Sequence, residues 1–297
     1  MWCNMEKNKT RGLITFAIVI ILLGYILASI LGLFISTQEQ GNIAVIKIWG
    51  PITVGSSQGL FSDGSTSSQE IVHLIEKANN NNLVKAIIFD INSPGGSPVA
   101  SDEIALAIKN TNKTSVSLIR EVGASGAYWV ASSTDKIFAN RMSITGSIGA
   151  YSSYLEFAGL IDDYNITYRV IKSAKYKDTG SSFKELTLEE EFLLQQRVDM
   201  IHNFFVEEIA NNRNLSFEEV NKIANGMIYL GAEGKDMGLI DQLGSMNDVL
   251  FYIEQKHNIK ANPVEYRIKR GFFDSLLGIL NLNRFSINEI NKPKINI

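Results

Sequence analysis

Three scarcities narrow the chemistry open to this chain before any motif is considered. Its 297 residues include one cysteine, Cys3, so no intramolecular disulfide can form and no zinc site can be built on cysteines. Only three histidines are present, His73, His202 and His257, each within a helical pattern, and no His-Glu-x-x-His pair occurs. Charge of either sign is not in excess: the net charge is −3, which gives no electrostatic footprint for nucleic acid, and no nucleic-acid partner is expected. Internal repeats are also missing. What remains, with 20% charged and 45% hydrophobic residues, is an ordinary globular composition carrying one extra apolar segment.

That segment is Leu13 to Ile35, a run without a charge. At about 1.5 Å rise per residue, a helix of this length covers the roughly 30 Å hydrocarbon core of a bilayer. Lys7, Lys9 and Arg11 precede it, while Gln38, Glu39 and Gln40 follow. The positive-inside rule then places residues 1–12 in the cytoplasm and the rest of the chain outside. A cleaved signal peptide would have an apolar core of roughly 7–15 residues and a small-x-small site, a pattern that Ser29-Ile30-Leu31 breaks. The expectation is therefore a single-pass anchor at 13–35 in contact with membrane lipid, followed by a polar linker at 36–42.

Beyond the linker, strand and helix signals alternate. Ile43 to Ile48, Val84 to Phe89, Ser115 to Ile119, Lys136 to Ala139 and Ile166 to Ile171 read as strands, the second as one buried on both faces. Capping boxes are expected at Ser67–Glu70, Thr187–Glu190 and Ser216–Glu219, the middle one opening a long amphipathic helix to about Asn211. This alternation predicts one α/β domain over 43–260 with a mainly parallel sheet. The tail, 261–297, holds an apolar cluster of Phe272, Phe273, Leu276, Leu277, Ile279 and Leu280, expected to dock on protein.

Two small-residue turns carry the candidate chemistry. Gly123-Ala124-Ser125-Gly126-Ala127-Tyr128 presents one hydroxyl at a strand-to-helix junction, and Ser93-Pro94-Gly95-Gly96-Ser97 exposes backbone N–H groups. Either turn alone mostly serves packing or chain reversal. Two such turns at neighbouring strand ends suit an active site, which α/β sheets form at the carboxyl ends of their strands. A hydroxyl needs a base to become a nucleophile, and no histidine lies near these motifs. The basic stretch Lys172 to Asp178 offers a lysine instead. To act, Lys177 must lose the proton that an ordinary lysine holds up to about pH 10.4. The neighbours Lys172 and Lys175 favour that loss and Asp178 opposes it. The N–H of Gly126 is a natural donor to a tetrahedral oxyanion, with Gly96 or Gly95 as the second.

Taken together, these segments resemble the signal peptide peptidase (SppA) family of serine–lysine membrane proteases, within the Clp protease/crotonase fold superfamily. The resemblance spans about residues 43 to 256. It rests on Asn92-Ser93-Pro94-Gly95-Gly96-Ser97, Ala124 to Tyr128, Thr145-Gly146-Ser147-Ile148-Gly149, Lys172-Ser173 with Lys177-Asp178, and Gly238-Leu239-Ile240-Asp241 before Leu243-Gly244. It implies an α/β Clp protease/crotonase-like fold with Ser125 as nucleophile and Lys177 as general base. Ser147 would orient the lysine amine, and Gly96 and Gly126 would be the oxyanion donors. No cofactor or metal is implied. The implied substrates are hydrophobic peptides, signal peptides left in the membrane among them, and the implied assembly is a homo-oligomer whose dyad can form between subunits. The chain departs from the family in having Ala127 where a second glycine is usual, and Ser181-Ser182-Phe183 where Ser-Pro-Phe is common. A crotonase-like acyl-CoA enzyme shares the glycine-rich turns, but an outward-facing domain would not meet that cytoplasmic substrate. A silent scaffold would require Ser125 or Lys177 to be misplaced.

Overall fold

The computed structural model describes residues 15–27, 41–55 and 64–268. Residues 15–27 form helix α1. The rest of the expected anchor and the apolar cluster at 272–280 lie outside the described residues. Among those described, no helix is long and apolar enough to cross a membrane.

From Gly41 onward the chain forms a separate compact unit. In order it contains β1 (Ile43–Trp49), β2 (Ile52–Thr53), β3 (Thr66–Ser67), α2 (Ser68–Asn80), β4 (Ala86–Ser93), α3 (Pro98–Lys109) and β5 (Thr114–Ala124). There follow α4 (Gly126–Ser132), β6 (Lys136–Ala139), β7 (Ile144–Gly146), α5 (Ala158–Asp163), α6 (Leu188–Arg213) and α7 (Phe217–Ile223). The unit closes with β8 (Ile228–Leu230), α8 (Gly231–Asp236), β9 (Gln242–Leu243), α9 (Met246–His257) and β10 (Pro263–Tyr266).

Eight strands make one sheet with the order β10-β1-β4-β5-β6-β9, and β7 pairs with the end of β5 and with β8. Every pairing is parallel except β7 with β8, so the α/β expectation holds. β10 joins this sheet although it follows the boundary expected at residue 260.

The strands read as near-continuous apolar runs because both faces are covered. Ile46, Ile87, Phe89 and Ile91 pack on one side with α2, α3, α4 and α6, while Ile43, Val45, Ile88 and Val116 pack on the other against Val249 and Ile253 of α9. Fully burying each such side chain contributes about 1.5–3 kcal/mol.

Helix starts follow the sequence closely. Thr187 and Ser216 form reciprocal capping boxes with Glu190 and Glu219. Ser67 caps α2 by accepting from the Glu70 N–H. α6 ends at Arg213 and buries an apolar face only near its C-terminal end, through Phe205, Val206, Ile209 and Ala210, while Leu188 and Phe192 are exposed.

One expected strand does not form. Residues 166–171 are irregular, so the basic stretch after them does not follow a strand. The alternation Ile166, Tyr168, Val170 suits a strand, but the segment pairs with no strand among the described residues, and all three side chains are exposed. A strand without a partner leaves its backbone groups unpaired, and the pattern alone cannot hold it.

Candidate active site

β5 sets the position of Ser125. Its first half pairs with β6 and its second half, Val122 to Ala124, with β7. Between these halves the register with β4 slips: Ile91 faces Ile119, and Ser93 already faces Gly123. The Asn92 side chain fills the gap by accepting from the Val122 N–H at 3.1 Å. The bulge therefore carries the end of β5 away from β6 and onto β7.

The chain then turns sharply. Ser125 has φ 52° and ψ −130°, an unusual conformation for a residue with a side chain. Holding a non-glycine residue there costs on the order of 1–3 kcal/mol, so its surroundings must impose it. They do so through its N–H, which donates to the Gly146 carbonyl at 2.8 Å, and its carbonyl, which accepts from Tyr128 and Trp129. α4 is locked in turn. Its Tyr128 hydroxyl donates to the Leu239 carbonyl at 2.9 Å, and Trp129 stacks on Phe205 with ring centroids 5.0 Å apart. Burial pushes the Tyr128 phenol well up from its ordinary value, so it stays a neutral donor. The Ser125 side chain is half-buried, and its hydroxyl makes no hydrogen bond among the described residues.

The two glycines after Pro94 have different tasks. Gly95 is buried with φ 97°, its N–H donates to Ser93 Oγ, and its carbonyl accepts from Ile52. A Cβ on Gly95 would lie 2.6 Å from the Gly126 nitrogen and 2.9 Å from the Ala124 carbonyl oxygen, so only glycine lets this turn rest on the Ser125 turn. Gly96 is exposed, and its N–H donates to no group among the described residues. Nor does that of Gly126, the first residue of α4, where intrahelical acceptors are lacking. These two N–H groups are neighbours, since a Cβ on Gly126 would stand 3.4 Å from the Gly96 nitrogen. Of the two glycines, Gly95 has its N–H engaged, and Gly96 has an N–H without a partner among the described residues.

Ser147 joins the same corner. It follows Gly146, has φ 51°, is half-buried, and donates its N–H to the Met227 carbonyl at 2.7 Å. Ser125, Gly96, Gly126 and Ser147 are therefore gathered at the carboxyl ends of β4, β5 and β7. Three further residues support them: Asn92 at the bulge, and two that no motif names, Met227 behind Ser147 and Ser101. The Ser101 hydroxyl donates to the Ser97 carbonyl and lies so close to Gly126 that a Cβ there would fall 2.3 Å from it. Asn92 opens the Asn92–Ser97 motif, and that is its signal in the sequence. Met227 and Ser101 carry none.

Lys177 makes no hydrogen bond through its ammonium with Ser125 or Ser147 within one chain. It lies on the exposed segment before α6, and its ammonium makes no hydrogen bond or ion pair among the described residues. Its neighbours are engaged. Asp178 pairs with Lys172 at 2.7 Å and Lys184 at 3.6 Å, and Glu190 pairs with Lys184 at 2.6 Å. The Lys172 bond, with help from Lys184, holds the Asp178 carboxyl below its ordinary value against the opposing effect of desolvation. Lys184 and the Thr187 N–H pull Glu190 down to about 2.

The scaffold behind the turn is tied by Arg213, whose guanidinium grips both Asp241 oxygens, at 2.9 and 3.1 Å, and reaches the Gly238 carbonyl. Burial raises the Asp241 pKa, but Arg213 and the Ile137 N–H outweigh it, so this carboxyl titrates low. Among the described residues no group of histidine, cysteine and acidic side chains could hold a metal ion.

Comparison with known proteins gives a consistent result. The model of peptidase family S49 matches residues 107–260. A protein of Methanocaldococcus jannaschii named as a protease is 33% identical over 280 residues, covering 91% of this chain and 90% of its own length. An Enterococcus faecium protein named for signal peptide peptidase SppA is 31% identical, covering 82% of this chain and 73% of itself. Protease 4 of Haemophilus influenzae is 33% identical over 73% of this chain, but the match spans only 35% of that longer protein.

Proposed function

Since the chain belongs to peptidase family S49 and is a protease of the SppA type, we propose that it is a serine–lysine endopeptidase in which Ser125 is the nucleophile and Lys177 the general base. The observation that carries this reading is the corner at Ser125: a strained turn presenting an uncommitted hydroxyl beside two uncommitted N–H groups, those of Gly96 and Gly126.

In this mechanism Ser125 Oγ attacks the scissile carbonyl while its proton passes to the neutral Lys177 amine. The carbonyl oxygen becomes an oxyanion and accepts from the Gly96 and Gly126 N–H groups. One such donor typically stabilises the transition state by about 3 kcal/mol. The lysine then gives its proton to the departing amine, leaving an acyl-enzyme on Ser125. Water, deprotonated by the same amine, hydrolyses that ester. Ser147 holds the lysine amine in line. An amine can do this near neutral pH only when desolvated or placed beside positive charge.

Lys177 reaches a Ser125 in a second copy of the chain on this reading. Its exposure and its lack of polar partners among the described residues support that arrangement. So do the exposed apolar side chains that precede it in sequence, Tyr164, Ile166 and Ile171 among them, which a subunit contact would cover. The substrates are hydrophobic peptides, residual signal peptides included, and the uncharged run 13–35 anchors the domain beside them on the outer side of the membrane. A fluorophosphonate probe tests the nucleophile. It should label Ser125 in the intact protein, with hydrolysis of a Leu- or Ala-rich peptide lost in the labelled enzyme. Peptidase activity that survives complete labelling would refute the assignment.

A further inference from the structure

Between residues 172 and 184 the chain carries four lysines, Lys172, Lys175, Lys177 and Lys184. Three hold a carboxylate: Lys172 on Asp178, Lys175 on Glu189, and Lys184 on both Asp178 and Glu190. Among the described residues, Lys177 holds none. The Tyr176 hydroxyl also goes to Glu189, and Lys172 Nζ closes the turn on the Lys175 carbonyl at 3.0 Å. Every polar side chain from 175 to 179, apart from that of Lys177, is thus tied down.

The centre of these ties is Glu190, in the first turn of α6. Its side chain is 5% exposed, on a stretch whose surroundings are otherwise open to solvent. One oxygen accepts from Lys184 Nζ at 2.6 Å and Thr179 Oγ1 at 2.9 Å, the other from the Thr187 N–H at 3.1 Å and Thr187 Oγ1 at 3.2 Å. Of these four side-chain contacts, a capping box uses only the one to the Thr187 N–H. The contacts to Lys184 and Thr179 do something else: they fasten the lysine-bearing loop to the start of a long helix.

Resting on the assignment of Lys177 as base, we propose that Glu190 and Lys184 form its positioning pair. Glu190 anchors the loop on α6 through Thr179 and Lys184. Lys184, together with Lys172, occupies Asp178. The carboxylate next to the base in sequence is thereby prevented from capturing its ammonium, and the amine is presented on a fixed turn instead of a loose one. A base held loosely by even about 1 Å loses rate heavily, because the reacting atoms must already be aligned.

The test uses the full-length protein, with kcat and KM for a Leu-rich peptide measured separately and folding followed by thermal melting. Glu190→Gln and Lys184→Gln should each lower kcat roughly tenfold or more, with KM within about twofold of the native value. Lys184→Arg, which keeps a cation between the two carboxylates, should recover most of that loss. Native kcat in either glutamine variant would overturn the pair, as would kcat and KM changing together with arginine no better than glutamine. If Glu190→Gln does not fold, the two Lys184 variants decide alone. Lys177→Ala separates the two levels: full activity there refutes the base and the positioning pair with it, whereas an inactive Lys177→Ala beside a native Lys184→Gln refutes the pair alone.

Discussion

The Ser125 corner and the Lys177 segment are built on opposite principles. Around Ser125 each backbone group is placed by buried strands, and the conformation is held from three strand ends at once. Around Lys177 there is no strand, the side chains are largely exposed, and order comes from ion pairs with the first turn of α6. On the proposed mechanism the first region supplies the nucleophile and its oxyanion donors, and the second supplies a base that meets them in another copy of the chain.

The contrast can be attacked at several points. The largest effect is expected from removing either reacting group: Ser125→Ala and Lys177→Ala should each lower kcat by at least about 10³-fold, with native melting temperatures. Next comes Gly95→Ala, whose methyl would press on the Gly126 nitrogen. It should cost on the order of 10²-fold in kcat by displacing an oxyanion donor, with a fall in stability measured on the same sample. Arg213→Ala strikes the scaffold instead. Breaking its largely buried pair with Asp241 should destabilise the domain by on the order of 3 kcal/mol in denaturant titration.

Acid should separate the regions as well. Asp178 and Glu190 titrate below their ordinary values in the folded chain. Their contribution is therefore complete above the unfolded carboxylate range and is lost as pH falls through the folded values, about 2 for Glu190. Hydrogen exchange between pH 5 and 2 should show the 172–190 segment opening before the β4–β5 amides do, and the reverse order would contradict the contrast. The smallest effect is expected at Ile171, which is fully exposed. Ile171→Ser should change subunit stability by less than about 0.5 kcal/mol while weakening self-association in sedimentation.

How far the sequence reveals the molecule follows the same division. Strands covered on both faces announce themselves as apolar runs, and Lys136–Ala139 forms with the bounds its pattern suggests. β4 and β5 run further than their patterns do, because Asp90, Asn92, Arg120 and Glu121 interrupt the apolar run where the strands approach the site. Ser125, Gly96 and Gly126 stand together, as their motifs suggest, because two small-residue turns close in sequence end neighbouring strands. The support given to Ser147 by Met227 joins distant stretches of chain and leaves no local mark. At 166–171 the alternation is genuine but a strand needs a neighbour, and none pairs with it among the described residues. Asp178 illustrates the remaining gap: its nearness to Lys177 in sequence suggests a partner, whereas Lys172 and Lys184 hold it in space.

The most direct trial of the account mixes two inactive proteins. Ser125→Ala chains retain a usable lysine, and Lys177→Ala chains retain a usable hydroxyl. Co-assembled, they should regain a measurable fraction of native peptidase activity, labelled by fluorophosphonate on the Lys177→Ala chain alone. Verified mixed assemblies with no recovered activity would contradict a site shared between copies.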